Sequence, residues 1–306
     1  MSFADFSALL DHMRGRGRPR RVALVAADDN HALEALIDTA DDGIVEPVLI
    51  GPADGIVARL ADLGVRADRF RIEDVADPTA AARRAVALIH AGEAELLMKG
   101  RLETATLMKV VVDRDSRLRT SRVMSHVAVL EIPTYHKLLA VTDVALNLAP
   151  DLDHKIEITL NAVEALAAIG IRRPKVAVMA AAEEVNPKHL DSTDAAEIKR
   201  RAEAGAIPGC IVEGPISYDL ALDREAVALK RYRSPVAADA DLMVVPGLTA
   251  GNLMVKALMF SARAKFAGFV VGAGVPVVMT SRSSSAIDKR MSIVLAAAAA
   301  RELVHA

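Results

Sequence analysis

The 306-residue sequence has one cysteine, no tryptophan and only 3% aromatic residues. Cys210 stands alone, which excludes an intramolecular disulfide framework and fits a reducing compartment. With 52% hydrophobic residues and so few rings, the core must be filled by Ala, Val, Leu and Ile, a profile that suits helices packed on parallel sheets. The formal net charge is only −2, so no nucleic-acid partner is expected. No apolar run reaches the roughly 18 residues needed to cross a bilayer, so no membrane partner is expected either. Residues 1–13 are mixed, and Arg14, Arg16, Arg18, Arg20 and Arg21 follow them, an order unlike a signal peptide. A cytoplasmic location is therefore expected. The Arg-Gly run itself reads as a solvated, partly flexible leader rather than a polyanion site.

Several site signatures are also missing. There is no G-x-x-x-x-G-K-[ST] loop. The glycines of Gly268 to Gly274 separate two apolar strands instead of opening a helix, which argues against a dinucleotide loop. The eight histidines are scattered and form no H-E-x-x-H. Asp151, Asp153 and His154 follow Pro150 at a helix start, where capping is the expected role rather than metal binding. Ser281 has neither a G-x-S-x-G context nor a neighbouring histidine, so a serine-hydrolase triad is unsupported.

What is present alternates between strand and helix. Strands are expected at Arg21 to Ala27, Val45 to Ile50, Phe70 to Ile72 and Leu96 to Met98. Helices are expected between them, the first capped by Asp28, Asp29 or Asn30 and the third running from Thr79 to His90. Such βα units indicate a parallel sheet. Val123 to Ile132 and Leu138 to Thr142 read as two strands in a tight connection through Pro133 to Tyr135. Alternation then returns. A helix capped by Asp151 or Asp153 runs to Ala168, with a strand at Lys175 to Ala181 and a helix at Asp191 to Gly205. Strands follow at Ile211 to Gly214 and Asp241 to Pro246, then a helix at Gly251 to Lys265 and a strand at Gly268 to Gly272.

The expected fold class is α/β, with two three-layer α/β/α lobes, mostly parallel sheets and an interdomain cleft. The first lobe takes residues 1–130 plus 273–306, the C-terminal segment returning to it, and the second takes residues 131–272. That return would bring the stretch Thr280 to Met291 to the cleft, where ligand sites concentrate.

This stretch, T-S-R-S-S-S-A-I-D-K-R-M, joins an apolar strand (Val275 to Met279) to an alanine-rich helix (Ile287 to Val304). A polar turn into a helix N-terminus is a preferred anion site. Ser285 and Asp288 form a capping-box pattern. Asp288 therefore reads either as a cap or as a general base with Ser281 and Arg282 stabilising charge. Lys99, Gly100 and Lys109 follow another strand end and offer either a cationic wall or a solvated helix face. Glu213 and Asn252 sit at predicted strand ends, next to the turn residues Gly214 and Gly251.

An ordered set of segments now carries a resemblance. They are M-K-G (Met98 to Gly100), S-H-V-A-V-L-E-I-P-T-Y-H-K (Ser125 to Lys137), T-D-V-A-L-N-L-A-P-D-L (Thr142 to Leu152) and V-N-P-K (Val185 to Lys188). E-G-P-I-S-Y-D (Glu213 to Asp219), S-P-V-A-A-D-A-D (Ser234 to Asp241), A-G-N (Ala250 to Asn252) and T-S-R-S-S-S (Thr280 to Ser285) follow. Together they resemble the phosphate acetyl/butyryltransferase family from about residue 90 to 300.

The resemblance implies reversible conversion of acyl-CoA and phosphate to acyl phosphate and CoA. It implies CoA as a substrate with no bound cofactor and no metal, and a homodimer or higher homo-oligomer. By analogy Asp288 deprotonates the CoA thiol, Arg282 holds phosphate and Ser281 donates to the oxyanion. Lys109, Lys99, Gly100, Glu213, Asp219, Asn252 and Ser283 are the substrate-binding candidates. A further family arginine maps loosely onto Lys109 and another has no clear match. Lysine lacks the bidentate fork of arginine. M-K-G, S-H-V-A-V and N-L-A-P-D-L look more like the butyryl-type branch, which favours an acyl chain longer than acetyl. Two alternatives stand beside this expectation. One is a two-lobed metal- and NAD(P)-dependent decarboxylating dehydrogenase, and the other a non-catalytic CoA or acyl-phosphate sensor.

Overall fold

The computed structural model describes residues 2–15, 17–280 and 284–300. In chain order the elements are α1 (Phe6–Met13), β1 (Arg20–Val25), α2 (Asn30–Asp41), β2 (Val45–Gly51), α3 (Ala53–Asp62), β3 (Arg71–Asp74), α4 (Pro78–His90), β4 (Leu96–Lys99) and α5 (Thr104–Val112). The middle of the chain gives β5 (Ser125–Glu131), β6 (Leu139–Thr142), α6 (Leu152–Ala168), β7 (Lys175–Met179), α7 (Leu190–Glu203), β8 (Ile211–Ile216), α8 (Tyr218–Leu222), α9 (Arg224–Lys230), β9 (Leu242–Val244) and α10 (Leu248–Ser261). Last come β10 (Lys265–Val271), β11 (Val277–Val278) and α11 (Ala286–Ala299). The fold class is α/β with mostly parallel strand pairing.

The chain divides into two compact units. The terminal unit comprises Ser7–Arg122 and the described residues from Ala267 on. Its strands lie in the order β3-β2-β1-β4-β11-β10. β1 pairs parallel with β2 and β4, β2 with β3, and β11 with β4, while β10 and β11 run antiparallel. The parallel strands are near-continuous apolar runs because both faces are covered. Val22 to Val25, Leu96 to Met98, Val277 and Val278 are all buried. Against them α2 packs on α11, and α4 on α5. Asp29 caps α2 by accepting the Ala32 N–H at 2.9 Å. Asp77 caps α4 in the same way, with Pro78 in the first turn, where its missing N–H costs nothing.

The middle unit comprises Val123–Phe266 and the described residues up to Phe6. Its strand order is β5-β6-β9-β7-β8, with β5 and β6 antiparallel and the others parallel. Its core joins Leu130, Leu139, Val141, Met179, Ile216 and Met243. Asp151 rather than Asp153 caps α6, accepting the His154 N–H at 2.9 Å.

The Arg-Gly segment differs from a solvated leader. Arg18 and Arg20 both donate to the Glu95 carboxylate, at 2.7 and 2.8 Å, and Glu95 is buried. Three guanidinium bonds and the Arg21 N–H satisfy that carboxylate, so the segment is tied to the entrance of β1. Burial alone would raise the Glu95 carboxyl, but the hydrogen bonds from Arg18, the Arg21 backbone and Arg20 hold it below its usual range. No described helix is long and apolar enough to cross a membrane.

Candidate active site

The C-terminal ends of parallel strands are where α/β sheets gather ligands. In the terminal unit β4 ends on Lys99, which is buried. Its Nζ donates to the Gly100 carbonyl at 3.1 Å and the Leu102 carbonyl at 3.0 Å. The chain then crosses the end of β1. Gly100 N–H donates to the Val25 carbonyl and Arg101 N–H to the Ala26 carbonyl, both at 2.8 Å. A Cβ on Gly100 would lie 2.2 Å from the Ala26 oxygen and 2.7 Å from the Val25 oxygen. Only glycine permits that approach, which is the physical content of M-K-G.

Past this crossing opens a cavity of about 500 Å³. Asp29, Lys99 to Glu103, Thr280 and Lys289 line it. It thus joins the end of β4, the start of α2 and α11. Lys289, like Lys99 and Thr280, is buried. Arg101 reaches out to Asp28 at 3.2 Å.

Asp288 is the third residue of α11, one position before Lys289. Its Oδ2 accepts the Ser285 N–H at 3.0 Å, and Ser285 Oγ accepts the Asp288 N–H at 3.1 Å. The capping box is formed. A carboxylate in this place satisfies helix N–H groups and stands at a helix mouth, so capping does not exclude a chemical role. Asp288 is half-buried and is not among the described cavity-lining residues. Ser281, Arg282 and Ser283 lie outside the described residues.

The remaining candidates are dispersed. Lys109 is exposed on α5 and is not among the described cavity-lining residues. In the middle unit, buried Glu213 accepts from Lys199 Nζ at 2.7 Å and from the Gly214 N–H at 3.0 Å. Asp219, in the first turn of α8, pairs with Lys230 at 3.1 Å. Asn252, on α10, donates to the Val144 carbonyl at 3.2 Å. Among the described residues no hydrogen bond or ion pair joins these three to one another.

Two of the sequence motifs meet at Asn252. Gly251 packs so closely that a Cβ would lie 2.9 Å from the Asp143 carbonyl oxygen. Asp143, 3% exposed, accepts from the N–H groups of His126, Ala145, Leu146 and Asn147 and from the Asn147 side chain. That carboxylate pins the T-D-V-A-L-N loop, and the glycine of A-G-N lets α10 close on it. Asp29, Arg101 and Lys289 were not legible as cavity residues. The signal for Lys289 was its place on the buried face of α11, where Ser292 and Ala296 follow at helical spacing.

The sequence model of the family described as phosphate acetyl/butaryl transferase matches residues 73–297. The chain belongs to this family. It is 40% identical over 278 residues to a phosphate butyryltransferase of Clostridium acetobutylicum, covering 91% of this chain and 92% of that protein. It is 42% identical over 269 residues to a phosphate acetyltransferase of Rhizobium meliloti, covering 88% and 85%. Among solved structures it is similar to a branched-chain phosphotransacylase from Enterococcus faecalis V583, with a TM-score of 0.80, 33% identity and coverage of 92% and 98%. These relatives are acyltransferases, and the dehydrogenase alternative is not favoured.

Proposed function

We propose that this member of a family of acyltransferases moves a short acyl group, butyryl or acetyl, reversibly between CoA and inorganic phosphate. The proposal is carried by the family match over residues 73–297 together with a carboxylate, Asp288, at the mouth of α11. In the proposed reaction Asp288 takes the proton of the CoA thiol. A free thiol has a pKa near ~8.5, so at neutral pH a base increases the reactive thiolate. The thiolate sulfur attacks the acyl phosphate carbonyl and forms the C–S bond. The tetrahedral oxyanion collapses, the C–O bond to phosphate breaks, and phosphate leaves with the bonding pair and takes up the proton that Asp288 removed from the thiol. Ser281 donates to the oxyanion, a contribution typically of ~3–4 kcal/mol. Arg282 offsets charge on the phosphoryl group. No bound cofactor is proposed, and Ser283, Lys99, Gly100, Lys109, Glu213, Asp219 and Asn252 are the proposed substrate-binding residues.

The M-K-G, S-H-V-A-V and N-L-A-P-D-L segments favour butyryl over acetyl. Butyryl has two more methylenes than acetyl, each worth ~1–3 kcal/mol in an apolar pocket, so butyryl is expected to turn over faster than acetyl. A cytoplasmic homodimer or higher homo-oligomer completes the proposal. It is supported by the exposed apolar Leu253 and Phe260, seven residues apart on α10. Sedimentation of the purified protein reads the oligomer. The reaction is tested by thiol release from butyryl-CoA and acetyl-CoA, with and without inorganic phosphate. Phosphate-dependent release is the expected result. Release that ignores phosphate would mean a thioesterase, and CoA binding without release from either substrate would mean a sensor.

A further inference from the structure

Lys289 is an unusual cation for a helix interior. Its side chain is only 5% exposed. Among the described residues its closest carboxylate oxygen is Asp29 Oδ1, at 4.0 Å and beyond hydrogen-bond distance. That oxygen already accepts the Ala32 N–H as the cap of α2. An ammonium is strongly hydrated, and burying one is costly unless an anion or a set of acceptors replaces its water. Lys289 lines the cavity of about 500 Å³ at the end of β4.

The other walls of that cavity add to its field. Lys99 is buried on the opposite element, β4, and is held in place by the carbonyls of Gly100 and Leu102. Arg101 also lines the cavity, although its guanidinium reaches to Asp28. Against these three cations stand two carboxylates among the described lining residues, Asp29 and Glu103. The balance is positive, and two of the cations are buried where solvent screens little. Thr280 supplies a hydroxyl that can donate or accept.

We infer that this cavity receives a phosphoryl group of a substrate, with Lys289 as the binding residue that meets it and Lys99 as the second positive wall. A compact ammonium with three rotatable donors suits a tetrahedral oxyanion without requiring the bidentate geometry of arginine. The shared chemistry is a phosphate dianion. It comes either from inorganic or acyl phosphate, or from a phosphate of CoA. The inference rests on the proposed acyl transfer for the identity of the substrate, but not for anion binding itself.

The test uses the full chain and two separate calorimetric titrations, one with inorganic phosphate and one with CoA. Lys289→Met keeps the length of the side chain and removes its charge. It is expected to weaken one of the two ligands by about tenfold or more, the loss typical of a charge-assisted hydrogen bond. Lys289→Arg is expected to recover part of that loss. Asp29→Asn retains an oxygen to cap α2 and removes the competing charge, so it is expected to tighten the same ligand.

Loss confined to phosphate assigns the cavity to inorganic or acyl phosphate. Loss confined to CoA assigns it to a phosphate of CoA. Unchanged affinity for both ligands in a folded Lys289→Met protein overturns the inference. If Lys289→Met fails to fold, unchanged affinities in Asp29→Asn overturn it instead. Lys289-dependent binding in a protein that never transfers an acyl group would sink the proposed function and leave this inference standing.

Discussion

Ser285 and Asp288 hold the mouth of α11 by exchanging hydrogen bonds. The Ser285 hydroxyl accepts the Asp288 N–H at 3.1 Å, and Asp288 Oδ2 accepts the Ser285 N–H at 3.0 Å. A carboxylate that caps a helix and also takes a thiol proton has two jobs, so a useful substitution keeps one of them. Asp288→Asn keeps an oxygen for the Ser285 N–H and loses the basicity. Loss of a cap costs ~1 kcal/mol, and Asn preserves most of it. Thiol release is expected to fall ~10²–10⁴-fold, the usual range for general base catalysis. The thermal midpoint should move by only a few degrees. Stability and activity lost in parallel would reduce Asp288 to a cap.

Gly100→Ala should damage the fold before the chemistry. The added Cβ would meet the carbonyl oxygens of Ala26 and Val25 at 2.2 and 2.7 Å. Neither atom can swing away, since both accept hydrogen bonds from Gly100 and Arg101. The ends of β1 and β4 must separate, at a cost of about 3 kcal/mol by comparison with other overpacked sites. Urea unfolding would read this as a lower midpoint. An unchanged midpoint would mean that the strand ends yield easily and that M-K-G is glycine for another reason.

The parallel strands were legible because apolar runs bounded by Asp, Gly and Pro leave few alternatives. The end of α10 was not. The helix stops at Ser261, and Arg263 sits at a φ of 56°, a left-handed position usually marked by glycine. An arginine there gives no stop signal, so the apolar spacing overran into the first residue of β10. α1 was missed for a related reason. Its buried Phe6 and Leu9 are too few in eight residues to show a period, and they anchor through tertiary contacts. Among the candidate site residues, Asp288 and Lys99 stood out in the sequence because they sit at a helix start and a strand end. Lys289 was hidden because a charged residue inside a helix reads as a solvated face until burial is known.

Lys155 and Asp194 make an ion pair of 2.7 Å with 7% and 10% of their side chains exposed. It ties α6 to α7. Lys155→Met strands a buried carboxylate and is expected to cost ~3–5 kcal/mol. The double change Lys155→Met with Asp194→Leu removes both charges and should recover most of that. A double-mutant cycle from denaturant unfolding measures the difference. Strictly additive losses would show that the pair is not coupled.

His126 gives the stability of this protein a pH signature. It lies fully inside β5, and its Nδ1 has no partner among the described residues. Burial pushes the imidazole down to about 4, although the Asp143 carboxylate acts to raise it. In the unfolded chain the ring titrates near ~6.5. Between those values the unfolded state binds a proton that the native state does not, so stability falls as pH drops through the window. The loss reaches on the order of 3 kcal/mol by pH ~4 and then levels off, because both states are protonated below that. His126→Phe keeps a ring that can stack on Phe266, which parallels the imidazole at 6.3 Å. It removes the titration. Denaturant midpoints measured from pH 7 down to pH 4 should therefore fall more steeply in the natural protein than in His126→Phe. Equal slopes would mean that His126 keeps an ordinary pKa in the folded state, and that the apparent burial of its ring admits water.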